Sequence, residues 1–235
     1  MSIFTFHLVE TSFASVLKTL MFPPKNEEIK GLIHAEYMQG MTLGSPIFST
    51  KRILFRQLVV FAQWENESAI DEFLKSHQTG KLLSNGWHIR MNYLRQWGKI
   101  DKFQIPESTS EMDKPENPVV AVTIARMRLS QVPRFIRWGR PVEKLVRDDP
   151  NTSISLAATR LPRTVSTFSI WNAQKNMLKM VHGHGVVENP TRHAEAMRER
   201  ERKDFHWQFT TLRFKPISEY GSWKGKSDYI PNQSK

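Results

Sequence analysis

Cysteine is absent from the 235 residues. That excludes disulfides, thiolate metal ligands and cysteine nucleophiles, and it fits a reducing, cytoplasmic compartment. No apolar run approaches the ~20 residues that a membrane-spanning helix needs. The opening Met1-Ser2-Ile3-Phe4-Thr5-Phe6-His7 has no basic stretch ahead of an apolar one, so no signal peptide is expected. Carboxylate pairs, a nucleophile elbow and a phosphate-cradling glycine loop are also missing, and Gly40-Met41-Thr42-Leu43-Gly44 alone is too short to count as one. Acidic residues are in deficit: 23 against 34 Lys and Arg, for a net charge of +11. The excess is uneven. Residues 119–235 carry 21 basic and 10 acidic side chains, whereas 106–118 carry 4 acidic and 1 basic. Such a field favours anionic partners or ligands.

An internal repeat is present. Arg56, Phe61 and Trp64 recur at the same spacing as Arg163, Phe168 and Trp171. Trp87-His88 through Leu94-Arg95 matches Phe205-His206 through Leu212-Arg213, and Ile3–Val9 matches Val119–Ala125 as a β-rich opening. Each half reads as strand (3–9; 119–127), helix (12–20; 130–138), strand (35–43; 153–159), strand (55–64; 163–171), helix (67–76; 172–181) and strand (88–97; 206–214). Phe13, Val16, Leu17 and Leu20 have the spacing of a helix face turned to a core. Pro23-Pro24 ends that helix and Pro141 is expected to interrupt its counterpart. The fold class is therefore α+β: two tandem ferredoxin-like units, 1–105 and 119–226, joined by an acidic Pro-rich linker at 106–118 and followed by a frayed tail at 227–235. Two such units closing as a dimeric α+β barrel within one chain make eight strands, a size that can hold one small ligand inside.

The run Thr167-Phe168-Ser169-Ile170-Trp171, then Met177, then Thr191-Arg192-His193-Ala194-Glu195-Ala196-Met197-Arg198 and Gly221-Ser222-Trp223-Lys224-Gly225 resembles the spheroidene monooxygenase family of carotenoid oxygenation enzymes. The resemblance covers most of 118–226 and touches 1–105 only loosely. It implies a dimeric α+β barrel, a haem cofactor, an electron donor and oxygenation of an apolar polyene. His182-Gly183-His184-Gly185 and the residues before Pro190 replace a shorter turn of the family, so substrate identity does not carry over.

Asn189-Pro190 reads as an N-cap followed by proline at the first helical position. His193 then lies at the edge of an apolar stripe that includes Ala194 and Met197. A neutral imidazole so placed can serve as axial ligand to haem iron, with Arg192 and Arg198 as bidentate partners for its propionates. His182 and His184, in a glycine turn with no third ligand nearby, read as a helix end rather than a metal site. His88 and His206 occupy matched repeat positions and, with Trp171, are the catalytic candidates; His206, Gln208 and Thr210 should share one strand face. The alternatives are a cofactor-independent monooxygenase or isomerase of the same barrel type, and a non-enzymatic ligand- or nucleic-acid-binding protein. The basic charge is compatible with peripheral contact to an anionic membrane. Nucleic acid is disfavoured, because the aromatics follow core periodicity rather than an aromatic–basic recognition pattern.

Overall fold

Each half folds for the reason its pattern gives: alternating strands bury one face inward, and helices cover the other. In the computed structural model, which describes residues 2–46, 49, 51–107 and 114–231, the first half contributes β1 (Ile3–Glu10), α1 (Phe13–Met21), β2 (Leu32–Met41), β3 (Ile53–Trp64), α2 (Glu67–Ser76), α3 (Gln78–Leu83) and β4 (Trp87–Lys99). The second contributes β5 (Val119–Met127), α4 (Val132–Asp148), β6 (Thr152–Arg160), β7 (Thr164–Trp171), α5 (Gln174–Val181), α6 (Arg192–Arg202) and β8 (His206–Tyr220). The eight strands close in the order β1-β3-β2-β6-β7-β5-β8-β4, so both halves have the same ferredoxin-like order. The long β4–β8 pairing makes one seam and the three-residue β2–β6 pairing, Gln39–Met41 against Ala157–Thr159, makes the other.

Strand register tests the repeat residue by residue. Ile3 faces Trp64 as Val119 faces Trp171. Even a bulge is duplicated, between Leu32 and His34 in one half and between Thr152 and Ile154 in the other. The match of Trp87-His88 with Phe205-His206 does not survive. His88 faces His7, while Thr211, not His206, faces the residue equivalent to His7, which is Thr123. The aromatic–His and Leu-Arg pairs align in sequence, but β8 begins further out than β4, so His206 lies beyond the end of the first-half pattern.

The barrel interior is full. Phe4, Phe6, Leu8, Trp87, Ile89, Val122, Phe168, Leu212 and Phe214 are among the buried side chains packed together within it. After β4 the chain turns Phe103 against Phe4 and Phe61. After β8 it turns Tyr229 against Trp87, with the Tyr229 hydroxyl donating to the Trp223 carbonyl at 2.8 Å. In the expected tail, Ser227 and Asp228 are exposed but Tyr229 and Ile230 pack against the core, and residues 232–235 lie outside the described residues, as does 108–113 of the linker. The expectation of a ligand inside the barrel is corrected by the same packing.

Two helices also differ from expectation. Among the α1 positions that should face the core only Val16 is buried; Phe13 and Leu17 point outward. Helix α4 runs straight past Pro141 to Asp148. The hydrogen bond that proline removes costs about 3 kcal/mol, which is offset by the burial of Leu145 beyond it and by the anchoring of Glu143 described below.

One buried ionic network spans the two halves. Arg126 of β5 donates to Glu36 of β2 at 2.7 Å and to Gln208 of β8 at 2.7 Å. The Glu36 carboxylate also meets His34 at 3.2 Å. Breaking a buried pair by removing one partner leaves an uncompensated charge. Arg126→Met should therefore lower unfolding free energy by about 3 kcal/mol, and adding Glu36→Gln to it should recover part of the loss. Chemical denaturation of the three variants checks this; a double variant as unstable as the single one would contradict it.

Candidate functional site

The first half shows what the outer face of such a sheet looks like when it is filled. His7 and His88, directly paired on β1 and β4, stack at 4.9 Å, and His88 stacks on Tyr220 at 4.9 Å. Arg90 is held by Glu67, at 3.0 Å, and by Asp71, both on α2. Trp64 and Phe73 close the layer, with centroids 5.1 Å apart.

The second half substitutes smaller groups at the same places. Where His7 pairs with His88, Thr123 pairs with Thr211, their hydroxyls 3.2 Å apart. Where Arg90 stands, register puts Arg213. Counting from the paired tryptophans, Gln174 and Leu178 on α5 replace Glu67 and Asp71 on α2. With two imidazoles gone, the space between the sheet and α4, α5 and α6 opens as a cavity of about 460 Å³, within the usual range for a small-molecule site. Val142, Val146, Leu178, Val181, Met197 and Phe209 give it apolar walls. The polar side chains that line it include Thr123, Thr211, Glu143, His193, His206 and Arg200.

His193, on the first turn of α6, is one of these. Helix α6 begins at Arg192, with Thr191 as N-cap, rather than at Pro190, because Asn189 takes a left-handed conformation at φ 56°. Burial, outweighing the carbonyl of Val181, lowers the His193 pKa, so the imidazole is neutral, and its Nδ1 is buried with no hydrogen-bond partner. His206 lies against Phe209 at 5.0 Å and Phe135 at 5.5 Å. Its Nδ1 meets Asp204 at 3.2 Å, its Nε2 has no partner, and burial pulls its pKa down to about 4. The expected grouping of His206 with Gln208 and Thr210 fails because of a bulge: Arg126 faces Gln208 but Met127 faces His206, so Trp207 is extra. That extra residue turns His206 to the outer, cavity-lining face.

Glu143 was not legible as a site residue. Its buried carboxylate accepts from the Gly44 N–H at 2.8 Å and lies 3.6 Å from Arg52, fastening the β2–β3 connection of the first half over the second-half cavity, where Leu43 forms part of the wall. Burial raises its pKa against the pull of these neighbours. Arg200, stacked over Phe209 at 3.9 Å, and Arg213, over Trp97 at 4.1 Å, bring cations to the cavity.

The remaining candidates lie elsewhere. Arg192 pairs with Glu195 at 3.0 Å and lines a separate basic groove along α4, and Arg198 is exposed and lines neither space. His88 belongs to the filled layer of the first half. Trp171 is buried in the core, its indole N–H donating to Ser169 at 2.9 Å. His184 is exposed, and among the described residues no group of three His, Asp or Glu is arranged to hold a metal ion.

No family model matches the chain. Among curated proteins it is similar to spheroidene monooxygenase of Rhodobacter capsulatus, 29% identical over 133 residues, which cover 55% of this chain and 51% of that protein. The chain thus matches about half the length of this relative. Among solved structures it is similar to an aldoxime dehydratase in complex with butyraldoxime, with a TM-score of 0.56 and 7% identity over 92% of this chain and 79% of that one. That likeness is one of fold: an α+β barrel spanning nearly the whole chain.

The two histidines folded near pKa 4, His88 and His206, make stability depend on acid. Unfolded, each takes up a proton near pH 6.5. Between pH ~6.5 and ~4 the unfolded chain binds protons that the folded chain refuses, so stability present above that window falls as pH drops through it. Each group should contribute a loss on the order of 2 kcal/mol between pH 7 and pH 5. His206→Phe should shrink the pH 7-to-5 loss by about that amount in urea unfolding; an unchanged pH dependence would show that His206 titrates normally in the folded protein.

Proposed function

We propose that this protein is a haem-dependent monooxygenase whose site is the cavity beneath α4, α5 and α6, acting on an apolar, carotenoid- or isoprenoid-like substrate. The observation that carries the reading is a neutral imidazole, His193, lining an apolar cavity with one ring nitrogen buried and unpartnered. A buried polar atom without a partner is a cost unless something supplies one, and a neutral imidazole is the form that ligates iron. The similarity to spheroidene monooxygenase supports the same reading. The residues fit the group: His193 would be the axial ligand, and Arg200 and Arg213, rather than Arg192 and Arg198, are the cations placed to meet its carboxylates.

Haem, when bound, supplies the activation of oxygen. The chain supplies the surroundings. Val142, Val146, Leu178 and Val181 exclude water and orient an apolar substrate by shape. Glu143, accepting from the Gly44 N–H and facing Arg52, fixes the wall of the site where Leu43 closes it. His206, fixed through Nδ1 to Asp204, leaves Nε2 to accept a hydrogen bond from the cavity. A folded pKa of about 4 makes it a weak base at neutral pH, which counts against the cofactor-independent alternative, where a pocket base must start the reaction.

Haemin titrated into the purified protein should give a Soret band that saturates at one equivalent. His193→Ala should weaken haem binding about tenfold or more, at least the scale seen when only an outer-shell partner of a metal ligand is lost, while leaving the thermal midpoint of the apoprotein within a few degrees. Absence of a Soret band, or an unshifted titration in the alanine variant, would defeat the proposal; turnover by colourless protein would favour the cofactor-independent reading.

A further inference from the structure

Helix α1 is assembled the wrong way round for a helix that ends in water. Its sheet-facing residues are Val16 and Thr19, with the Thr19 hydroxyl donating to the Ser15 carbonyl at 2.9 Å. Leu20 packs partly against the same core, but three other apolar side chains fall at i, i+4 and i+8 on the adjoining, outward face: Phe13 is 50% exposed, Leu17 42% and Met21 62%. The stripe continues into Phe22 at the C-cap, 73% exposed, and is flanked by Phe55 of β3, 54% exposed, which meets Phe13 edge-on at 5.9 Å. Exposed apolar side chains that fall singly need no explanation, but a contiguous patch of this size is often functional.

We propose that this face of α1 docks on an anionic lipid bilayer, with Phe13, Leu17, Met21, Phe22 and Phe55 entering the interface. Three observations favour a bilayer over a second copy of the chain or another protein. First, the exposed apolar area is roughly 500 Å², about half of each of five large side chains, below the ~800 Å² per partner of a standard protein interface. Second, the stripe is the outward surface of a single helix, and helices lying in the interface bury such a stripe without shape complementarity. Third, the chain is net basic at +11, and the half that bears the stripe, with 12 basic and 9 acidic side chains in residues 1–105, shares in that excess only modestly, so charge adds a long-range attraction to an anionic surface rather than a local contact. The charges around the stripe neither help much nor oppose it: Lys25 pairs with Glu28 at 3.7 Å and Arg56 with Glu10 at 4.0 Å, Lys18 is exposed beside the stripe, and Glu27 is exposed beyond its end. Insertion is therefore carried by the apolar side chains, and the preference for anionic lipid by the net charge. The inference does not depend on the haem proposal.

Vesicle sedimentation with the full chain tests it. At low salt the protein should pellet with vesicles of phosphatidylcholine mixed with phosphatidylglycerol, and more weakly with phosphatidylcholine alone. The double substitution Met21→Glu and Phe22→Ser should reduce binding to the mixed vesicles by about tenfold or more, and its unfolding midpoint should match the wild type, since both side chains are exposed. The proposal is overturned if the wild type stays in the supernatant with both vesicle types. It is equally overturned if the double variant binds as the wild type does, which would leave charge alone as the cause. A wild-type dimer in sedimentation velocity that the substitution dissociates, without vesicle binding, would assign the face to a second copy instead.

Discussion

An eight-stranded barrel can be filled by its own side chains or hold one small ligand, and here a continuous cluster of buried apolar side chains runs through it. Phe4, Phe61 and Phe214 meet in the middle, Phe103 closes one side and Tyr229 packs on Trp87 at the other. This packing decides where function can lie. The interior is taken up by the core that joins the halves, which leaves the outer face, between sheet and helices, as the place for a ligand. The two halves present one such face each, and they have used it differently.

The difference reduces to a few side chains at equivalent positions. His7 and His88 fill the layer in the first half, and Thr123 and Thr211 leave it open in the second. Arginine is retained at the matched site, as Arg90 and Arg213, but the carboxylates of α2 that hold Arg90 give way to Gln174 and Leu178 on α5. A layer that stabilises one unit becomes a cavity in the other by loss of volume. The cost of that cavity falls on the whole molecule, because a void of this size forfeits packing that the first half keeps. Glu143 and its bonds to Gly44 and Arg52 show the first half bracing the second across the opening.

Much of this was legible in the sequence, and the failures have specific causes. The tryptophan-terminated strands gave the repeat and the fold class, since Trp64 and Trp171 fix the same register in both halves. His193 could be named because a helix start and an apolar stripe are local signals. Pairing register is not local. The apparent match of His88 with His206 rested on neighbouring aromatic and Leu-Arg residues, and only the strand partners show that His88 corresponds to Thr211. The bulge at Trp207, which turns His206 outward, adds one residue that no alternation pattern can register. Glu143 reads in sequence as one charge among many on a basic helix, and its burial follows from a connection nearly a hundred residues away. The outward stripe of α1 was misread for a related reason: helical spacing identifies a face but not the direction it faces.

Burial also orders the histidines by what each can do. His7 has its pKa lowered first by burial and then by His88 and Arg90, so the stacked pair stays neutral and acts as packing. His193 and His206 are neutral for the same reason, but their unpartnered nitrogens lie in a layer that is open rather than closed. The same desolvation therefore gives a rigid aromatic layer where neighbouring rings occupy the space and potential ligands or hydrogen-bond acceptors where they do not. The chemical character of the second half thus follows from absent neighbours as much as from its own residues. Restoring bulk at Thr123 and Thr211 would be the structural reverse of the step that opened the cavity.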